Sequence, residues 1–304
     1  MNEEKIRTQR PNSTATNKGV PMRSILIPGC FALLVIVTML VQAPPAAAAP
    51  ANQGQPTSTA SHLSGSLANI QKTGTLRVGV TTNAPWVMRD KNGQWIGLEI
   101  DLVRQLAQDM KWKIELVPTS WDKGSDELRE GHFDILASGL SITPQRALRL
   151  KFSHPYGDFA LGLVVNRKSM GNDDLLAVQT TGKHKIGVLS ETITAATAKA
   201  YLGDSTVVEV NDEHQAIDDL RDGKLDGYVG EEPLPTALAQ TYPDQLRTME
   251  VKTYGRTAHG FAVRRDDQDL LDVINAWLVY QEASGWIQSR NDFWIHSPDW
   301  VQLM

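Results

Sequence analysis

The sequence feature that most constrains the fold is an internal repeat of one short pattern. Residues 127–139 read ELREGHFDILASG and residues 219–231 read DLRDGKLDGYVGE, with Leu, Arg, Gly and Asp at matching places. Each copy is typical of a helix that ends at a glycine and is followed by a strand. A second pair, LRVGV at 76–80 and HKIGVL at 184–189, predicts a strand that opens each half. Two pairs in the same order are harder to explain by chance than one, so the sequence predicts two similar α/β lobes.

Alternating helix and strand patterns in the first half indicate how each lobe is built. TLRVGV at 75–80 and KIELVPT at 113–119 are typical strands, and IDLVRQLAQDM at 100–110 places its apolar residues on one helical face. This βαβ order predicts a largely parallel sheet with helices on its faces.

The same architecture predicts where a ligand binds. Open α/β sheets bind ligands beyond the carboxyl ends of their strands, so two facing lobes form a cleft there. Ser138 and Gly139 end the repeated strand of one half, and Gly230 and Glu231 end that of the other. We therefore expect these four residues to lie at the cleft.

Residues 1–49 are typical of an export signal rather than of a folded segment. A basic start precedes an apolar run at 25–41, and small residues follow it. We expect cleavage near Ala48 or Ala49 and a periplasmic or extracytoplasmic mature protein. The alternative is an uncleaved segment that tethers the protein to the membrane, since about 17 apolar residues can just span a bilayer. The start codon, Met1 or Met22, stays open.

Composition excludes several functional classes. Residues 50–66 are rich in Pro, Gly, Ser and Thr, which predicts a flexible linker. The chain has 30 Lys and Arg against 35 Asp and Glu; without residues 1–49 the balance is 25 against 33, a net charge of −8 that argues against a nucleic-acid partner. The one cysteine, Cys30, leaves with the signal, and the histidines lack metal-ligand spacing. Nucleotide-binding glycine loops are absent, so we expect no metal and no cofactor.

From about residue 75 to 300 the chain resembles the extracytoplasmic solute-binding proteins of the polar amino acid type, bacterial solute-binding protein family 3. The motifs that carry the resemblance are GQWIGLEIDLVRQLA, SGLSITPQR, FSHPY and LDGYVGEEP, in the family's order and spacing. The resemblance implies a two-lobe, type II periplasmic-binding-protein-like α/β fold, in which each lobe is a mostly parallel sheet flanked by helices and two hinge strands join the lobes. We place the first lobe at 67–163 and 259–304 and the second at 164–258.

The resemblance also implies the ligand residues of the first lobe. Arg146 matches the arginine that grips a ligand carboxylate, for which a planar fork of donors is suited. This side of the predicted site also includes Ser138, Gly139 and Ser141. Trp121 matches an aromatic residue that stacks on the ligand. The alternatives are a surface cation for Arg146 and a core tryptophan for Trp121.

In the second lobe the resemblance implies that the Thr192 hydroxyl binds the ligand carboxylate. The alternative is that Thr192 only caps its helix and does not contact the ligand. Glu231 stands where family members often have an aspartate for the ligand amine. Glu191 stands where many have glycine; in the cleft it is a surplus carboxylate that favours a cationic ligand side chain, and otherwise it caps the helix. Asn83 lies near the place of a common aromatic residue, and Trp86 is the candidate to replace it.

These features favour a monomeric receptor without catalytic residues. It closes on a small carboxylate-bearing solute, an amino acid in the first place, and delivers it to the permease of an ABC importer. One alternative is a periplasmic cyclohexadienyl or prephenate-type dehydratase on the same fold, with Glu191 or Glu231 as its acid. The other is a ligand-sensing accessory module with a protein partner.

Overall fold

The computed structural model describes residues 65–203, 207–250 and 256–304. These residues belong to one compact unit, Thr59–Met304. The predicted signal peptide, and the predicted linker up to residue 64, lie outside the described residues.

Helices and strands alternate along most of the described chain. The helices are α1 Gly65–Thr73, α2 Leu98–Asp109, α3 Gly124–Glu130, α4 Pro144–Ala147, α5 Arg167–Met170, α6 Leu175–Thr181, α7 Ile193–Leu202, α8 Glu213–Arg221, α9 Leu234–Thr241, α10 Gln268–Ala283, α11 Trp286–Trp294 and a 3₁₀ helix at Asp299–Leu303. The strands are β1 Thr75–Val80, β2 Met88–Arg89, β3 Trp95–Ile96, β4 Lys113–Pro118, β5 Ile135–Leu136, β6 Lys151–Phe152, β7 Gly157–Phe159, β8 Leu161–Asn166, β9 Ile186–Leu189, β10 Val207–Val210, β11 Gly227–Glu231, β12 Leu246–Met249, β13 Thr257–His259 and β14 Ala262–Val263.

Two five-stranded sheets of the same plan form the two lobes. The first has the order β4-β1-β5-β14-β6 and the second β10-β9-β11-β8-β12. In each sheet three neighbouring strands are parallel, and the fourth strand, β14 or β8, runs antiparallel to them. The outermost strand, β6 or β12, is antiparallel to the fourth and so runs in the same direction as the first three. The prediction of two mostly parallel α/β lobes is therefore confirmed.

The internal repeat occupies equivalent places in the two sheets. α3 leads into β5 and α8 leads into β11, and in both lobes a glycine with positive φ follows the helix, Gly131 at 80° and Gly223 at 74°. The repeated aspartates also act alike. Asp134 Oδ2 accepts from the backbone N–H of Arg77 at 2.9 Å, and Asp226 Oδ2 accepts from that of Lys185 at 2.8 Å. Each aspartate thus ties its junction to the beginning of a neighbouring parallel strand, β1 in the first lobe and β9 in the second.

The chain crosses between the lobes at the short antiparallel pair β7 and β13. Two strand segments in this position are the predicted hinge. The predicted lobe boundary at residues 163 and 164 falls inside β8, which belongs wholly to the second sheet. No change of composition marks this boundary, because FALGLVV at 159–165 is one run without a polar side chain. At the other end, α1 begins at Gly65, two residues before the predicted first lobe.

Apolar packing holds the helices on the sheets. α2 buries Leu98, Ile100, Leu102 and Leu106 against the first sheet, as its period of apolar residues predicts. A separate cluster in the second lobe includes Val165, Ile186, Val188 and Val229 from three neighbouring strands. This packing supports the strands whose carboxyl ends carry the residues of the cleft.

Candidate functional site

A narrow cleft between the lobes lies at the carboxyl ends of β5 and β11. It encloses about 20 Å³, room for about one water molecule, so the lobes stand in a closed arrangement. Its lining consists of Asn83, Trp121, Gly139, Ser141, Arg146, Leu189, Thr192, Ile193, Thr194, Glu213, Tyr228, Val229, Gly230 and Glu231. Of the eight predicted ligand residues, the structure brings six into this lining.

Arg146 supplies the only positive charge of that lining. Thr143 caps the short helix α4 by accepting from the Arg146 N–H at 3.2 Å, and Pro144 fits the first helical position. Arg146 Nη1 donates to the carbonyl of Ser141 at 3.0 Å. Burial lowers the pKa of Arg146 below its ordinary value, and the charge of Glu231 partly opposes that shift. No carboxylate of the described residues lies within 4.0 Å of its guanidinium, which leaves several N–H donors for an anion.

The three small residues of the predicted first-lobe site have different roles. Ser138 is fully buried outside the cleft lining, where its Oγ accepts from the Thr81 N–H at 2.9 Å. Gly139 lines the cleft at φ 67°, but its N–H donates to Glu99 Oε1 at 2.7 Å. A Cβ at Gly139 would lie 2.5 Å from Asn83 Nδ2, so no larger residue fits. Ser141 lines the cleft and orients Arg146 through its carbonyl.

Trp121 combines the two roles that the sequence left open. Its ring is partly buried and lines the cleft, while it also packs on the apolar cluster of Leu128, Leu136 and Leu150. Its Nε1 lies 3.3 Å from the Thr82 carbonyl, to which it donates. The ring is thus held by the apolar cluster on one side and borders the cleft on the other.

Thr192 is the N-cap of α7 and also lines the cleft. Its Oγ1 accepts from the Ala195 N–H at 3.0 Å and donates to the Leu189 carbonyl at 2.7 Å. The capping role, one of the two alternatives, is therefore present in the structure. With its proton and one lone pair engaged, the hydroxyl keeps only acceptor capacity, so it is a poor partner for a carboxylate.

Glu191 is exposed and lies outside the cleft lining. Its φ of 58° is left-handed, the conformation that glycine adopts at least cost, which explains why glycine suits this position. The expectation that Glu191 supplies a surplus carboxylate inside the cleft does not match this placement. A cationic ligand preference cannot rest on Glu191.

Glu231 lies at the end of β11, where it is buried and lines the closed cleft. It accepts from Trp86 Nε1 at 2.9 Å, and the Nε2 atom of His259 lies 3.2 Å from its carboxylate. Trp86 packs on Phe159 and His259 behind the cleft, with ring centroids 3.8 and 5.0 Å away. Trp86 therefore supports Glu231 rather than replacing a ligand-facing aromatic.

Two buried glutamates near the cleft were missed by the sequence analysis. Glu99 bonds to the Tyr156 hydroxyl and the Gly139 N–H, and burial raises the pKa of Glu99 to about 7. Glu213, in the cleft lining, accepts from the Ala84 N–H at 2.7 Å and the Tyr228 hydroxyl at 2.9 Å. Burial likewise raises the pKa of Glu213 to about 7.

No local pattern could have singled out these glutamates. Each lies in the first turn of an amphipathic helix, where acidic residues are common because they favour the helix dipole. Only the packing of the two lobes shows that these two are buried.

Metal and membrane features can be described only for the ranges 65–203, 207–250 and 256–304. Within them, no three His, Cys, Asp or Glu side chains are grouped to hold a metal ion. Within the same ranges, no helix has the length and apolar character needed to cross a bilayer.

The two-lobe fold, the hinge pair and a cleft lined by both lobes define the class of solute-binding proteins that enclose a ligand. Residues 76–297 match the bacterial extracellular solute-binding proteins, family 3, and the chain belongs to this family. The L-cystine-binding protein TcyJ of Escherichia coli is 26% identical over 235 residues, which cover 76% of this chain and 86% of that protein.

Two further similarities bear on the alternatives. The cyclohexadienyl dehydratase of Pseudomonas aeruginosa is 24% identical over 234 residues, or 75% of this chain and 85% of the enzyme. The crystal structure of the ancestral amino acid-binding protein AncCDT-1, described as a precursor of cyclohexadienyl dehydratase, matches with a TM-score of 0.67 and 29% identity. It covers 76% of this chain and 100% of that structure.

Proposed function

We propose that this protein is an extracytoplasmic receptor that closes on an amino acid and delivers it to the permease of an ABC importer. The single observation that carries the proposal is Arg146, a guanidinium in an interlobe cleft without a carboxylate partner among the described residues. A partly buried cation without a counter-ion is costly, and a ligand carboxylate is the group that its planar donors fit best.

The opposite side of the cleft suits the ammonium group of the same ligand. Glu231 projects from the second lobe, and its charge is close enough to Arg146 to affect the pKa of that arginine. A ligand with adjacent carboxylate and ammonium groups would pair with both residues at once. This fits the amino-acid ligands named for TcyJ and AncCDT-1.

The proposed site combines residues of both lobes in distinct roles. Arg146 binds the carboxylate, Glu231 the ammonium, and Trp121 packs on the ligand, with Ser141 orienting Arg146 and Gly139 leaving space. Thr192 shapes the second-lobe wall, and Ser138 supports the first from behind. Because the enclosed space is about 20 Å³, the lobes must separate at the β7 and β13 hinge to admit a ligand.

The decisive experiment compares Arg146→Ala with Arg149→Ala, whose arginine lies on the surface and pairs with Asp126. A thermal-shift panel of amino acids should stabilise the wild type and Arg149→Ala. Arg146→Ala should lose this shift, because an unpaired ligand carboxylate costs about 2–5 kcal/mol of binding free energy. Its melting temperature without ligand should change by only a few degrees. Ligand affinity unchanged in Arg146→Ala would contradict the proposal.

A dehydratase is the second candidate function, favoured by one observation. Glu213 lines the cleft, and burial raises the pKa of Glu213 to about 7, the range that suits a general acid. We favour the receptor because Arg146 and Glu231, which come from different lobes, suit the two charges of an amino acid, and because the similar protein TcyJ is an L-cystine-binding protein.

Incubation with prephenate and arogenate, followed by ultraviolet detection of an aromatic product, separates the two functions. A receptor yields no product. Turnover that disappears in Glu213→Gln or Glu231→Gln would establish the dehydratase instead.

A further inference from the structure

The cleft lining contains one more carboxylate than recognition of an α-amino acid requires. Its charged residues are Arg146, Glu213 and Glu231. On the proposed function, Arg146 and Glu231 pair with the carboxylate and ammonium of the ligand. Glu213 is then the charged group that remains for the ligand's side chain.

Glu213 is held rigidly at the junction of the two lobes. It is the first residue of α8 and is only 5% exposed. Its Oε2 accepts from the Ala84 N–H of the first lobe at 2.7 Å, and its Oε1 accepts from the Tyr228 hydroxyl at 2.9 Å. A carboxylate offers about four acceptor positions, so each oxygen keeps one for a further donor.

The same side chain also borders a second cavity, of about 480 Å³. This cavity is lined from the first lobe by Thr82, Met88 and Arg89, and from the second by Asp212 and His214. Glu213 is thus shared by the cleft and by a roomier space beside it. A ligand held at its α-carbon by Arg146 and Glu231 can direct its side chain past Glu213 toward that space once the lobes move apart.

We propose that Glu213 is a specificity-determining residue and that this receptor prefers amino acids with a cationic side chain over neutral ones of the same shape. A buried carboxylate needs either a proton or a cation close to it. No Lys, Arg or His of the described residues lies within 4.0 Å of Glu213, so a guanidinium or ammonium on the ligand would fill that role.

The groups around Glu213 come from both lobes, and none of those described is a cation in direct contact with its carboxylate. The backbone of Ala84 faces it from the first lobe, while Tyr228 and Glu231 face it from β11 and Asp212 from its own helix. The adjoining cavity adds Arg89, Asp90, Lys91 and His214. Arg89 is engaged elsewhere, since it stacks on Trp95 with 3.6 Å between guanidinium carbon and ring centroid. Burial raises the pKa of Glu213 to about 7, which agrees with a carboxyl that holds a proton until a cation replaces it.

The test is isothermal titration of L-arginine and of L-citrulline, which has the same length and a neutral side chain. The wild type should bind arginine roughly tenfold or more tightly than citrulline, the value of one charged hydrogen-bonded contact. Glu213→Gln keeps the size of the side chain and should bring the ratio near one. Asp218→Asn, a half-exposed position on the same helix, should retain the wild-type ratio.

The outcomes separate this inference from the proposed function. Citrulline bound by the wild type as tightly as arginine, or a ratio unchanged in Glu213→Gln, would overturn the role of Glu213 while the receptor function stands. If the wild type bound no amino acid at all, both the proposed receptor function and the role of Glu213 would be wrong.

A second measurement uses the wild type alone, so it can be made even if Glu213→Gln folds poorly. At pH 6, arginine binding to the wild type should release up to about one proton, measured by titration in two buffers of different ionisation enthalpy. Citrulline should release none. Equal proton release with both ligands would contradict the inference.

Discussion

Trp86 Nε1 and Glu231 Oε2 lie 2.9 Å apart, with the donor in the first lobe and the acceptor in the second. Both side chains are buried, Trp86 completely. The carboxylate proposed to bind the ligand's ammonium therefore also joins the lobes to each other. Closure and recognition share one group, so a change in the indole should affect both.

We expect Trp86→Phe to lower the free energy of unfolding without ligand by about 1–3 kcal/mol, since it leaves a buried carboxylate short of one donor. A bound ammonium would replace that donor. The ligand-induced rise in melting temperature should therefore be larger in Trp86→Phe than in the wild type, as measured by thermal denaturation with and without the bound amino acid.

Trp277 provides the matched control, because its Nε1 donates to Asp109 Oδ2 at 2.8 Å, a contact made within the first lobe. Trp277→Phe should lose stability equally with and without ligand. If Trp86→Phe behaved in the same way, Glu231 would not be the ammonium partner.

Glu191 should be a site of local strain rather than of ligand binding. A side chain in the left-handed conformation costs about 1 kcal/mol, and the φ of Glu191 is 58°. Glu191→Gly should raise the free energy of unfolding by up to about 1 kcal/mol in urea denaturation, whereas Glu191→Ala should give no such gain. Lys111, also at φ 58°, is the matched position for a second glycine substitution. A large loss of ligand affinity in Glu191→Gly would return this residue to the binding site.

Most of the fold could be predicted because its signals are local and repeated. The helix, glycine and strand of each repeat copy appear in α3 with β5 and in α8 with β11. Glu231 could be placed at the cleft because it ends a repeated strand, and Arg146 because it stands in the motif SGLSITPQR that resembles the family's. The edge of the second lobe at β8 could not be located, since a hinge leaves no change of composition in an apolar run.

The missed part of the site depends on contacts between segments distant in sequence. Glu213 bonds to Ala84, 129 positions away, and Trp86 to Glu231, 145 positions away. The sequence pattern shows only that each glutamate lies at the start of a helix, where acidic residues are common. Glu191 shows the opposite case. It is next to Thr192, a predicted ligand residue, but it is exposed and its backbone is in the left-handed conformation.

The repeated aspartates should differ in their value to stability although they occupy equivalent places. Asp134 is fully buried and pairs with the Arg77 guanidinium at 2.7 Å. The side chain of Asp226 is 19% exposed and has no arginine within 4.0 Å in the described part of the chain. We expect Asp134→Asn to lower the free energy of unfolding by about 3 kcal/mol, because it leaves a partly buried cation unpaired. Asp226→Asn should cost about 1 kcal/mol. Equal losses in urea denaturation would show that the ion pair with Arg77 adds nothing.

Stability should fall as pH rises from about 4.5 to about 7, and Glu99 should be one cause. Burial raises the pKa of Glu99 from its ordinary value of 4.5 to about 7. The folded protein therefore holds a proton on Glu99 at pH values where the unfolded chain has lost it. The stabilising contribution is fully present below about 4.5 and is lost as pH rises through about 7.

Each pKa unit corresponds to about 1.4 kcal/mol, so the buried carboxyl group should contribute a few kcal/mol across this window. Glu99→Gln is neutral at every pH and can still accept from the Gly139 N–H. It should therefore flatten the dependence of the free energy of unfolding on pH between 5 and 7, measured by urea denaturation at several pH values.

The control for Glu99→Gln is Glu282→Gln, since Glu282 is exposed near the end of α10. That substitution should leave the slope unchanged. The arginine-to-citrulline ratio should also stay at its wild-type value in Glu99→Gln, because Glu99 lies behind Gly139 and outside the cleft lining. An unaltered slope in Glu99→Gln would mean that Glu99 is already ionised in the folded protein, with the Tyr156 hydroxyl and the Gly139 N–H sufficient to hold its charge.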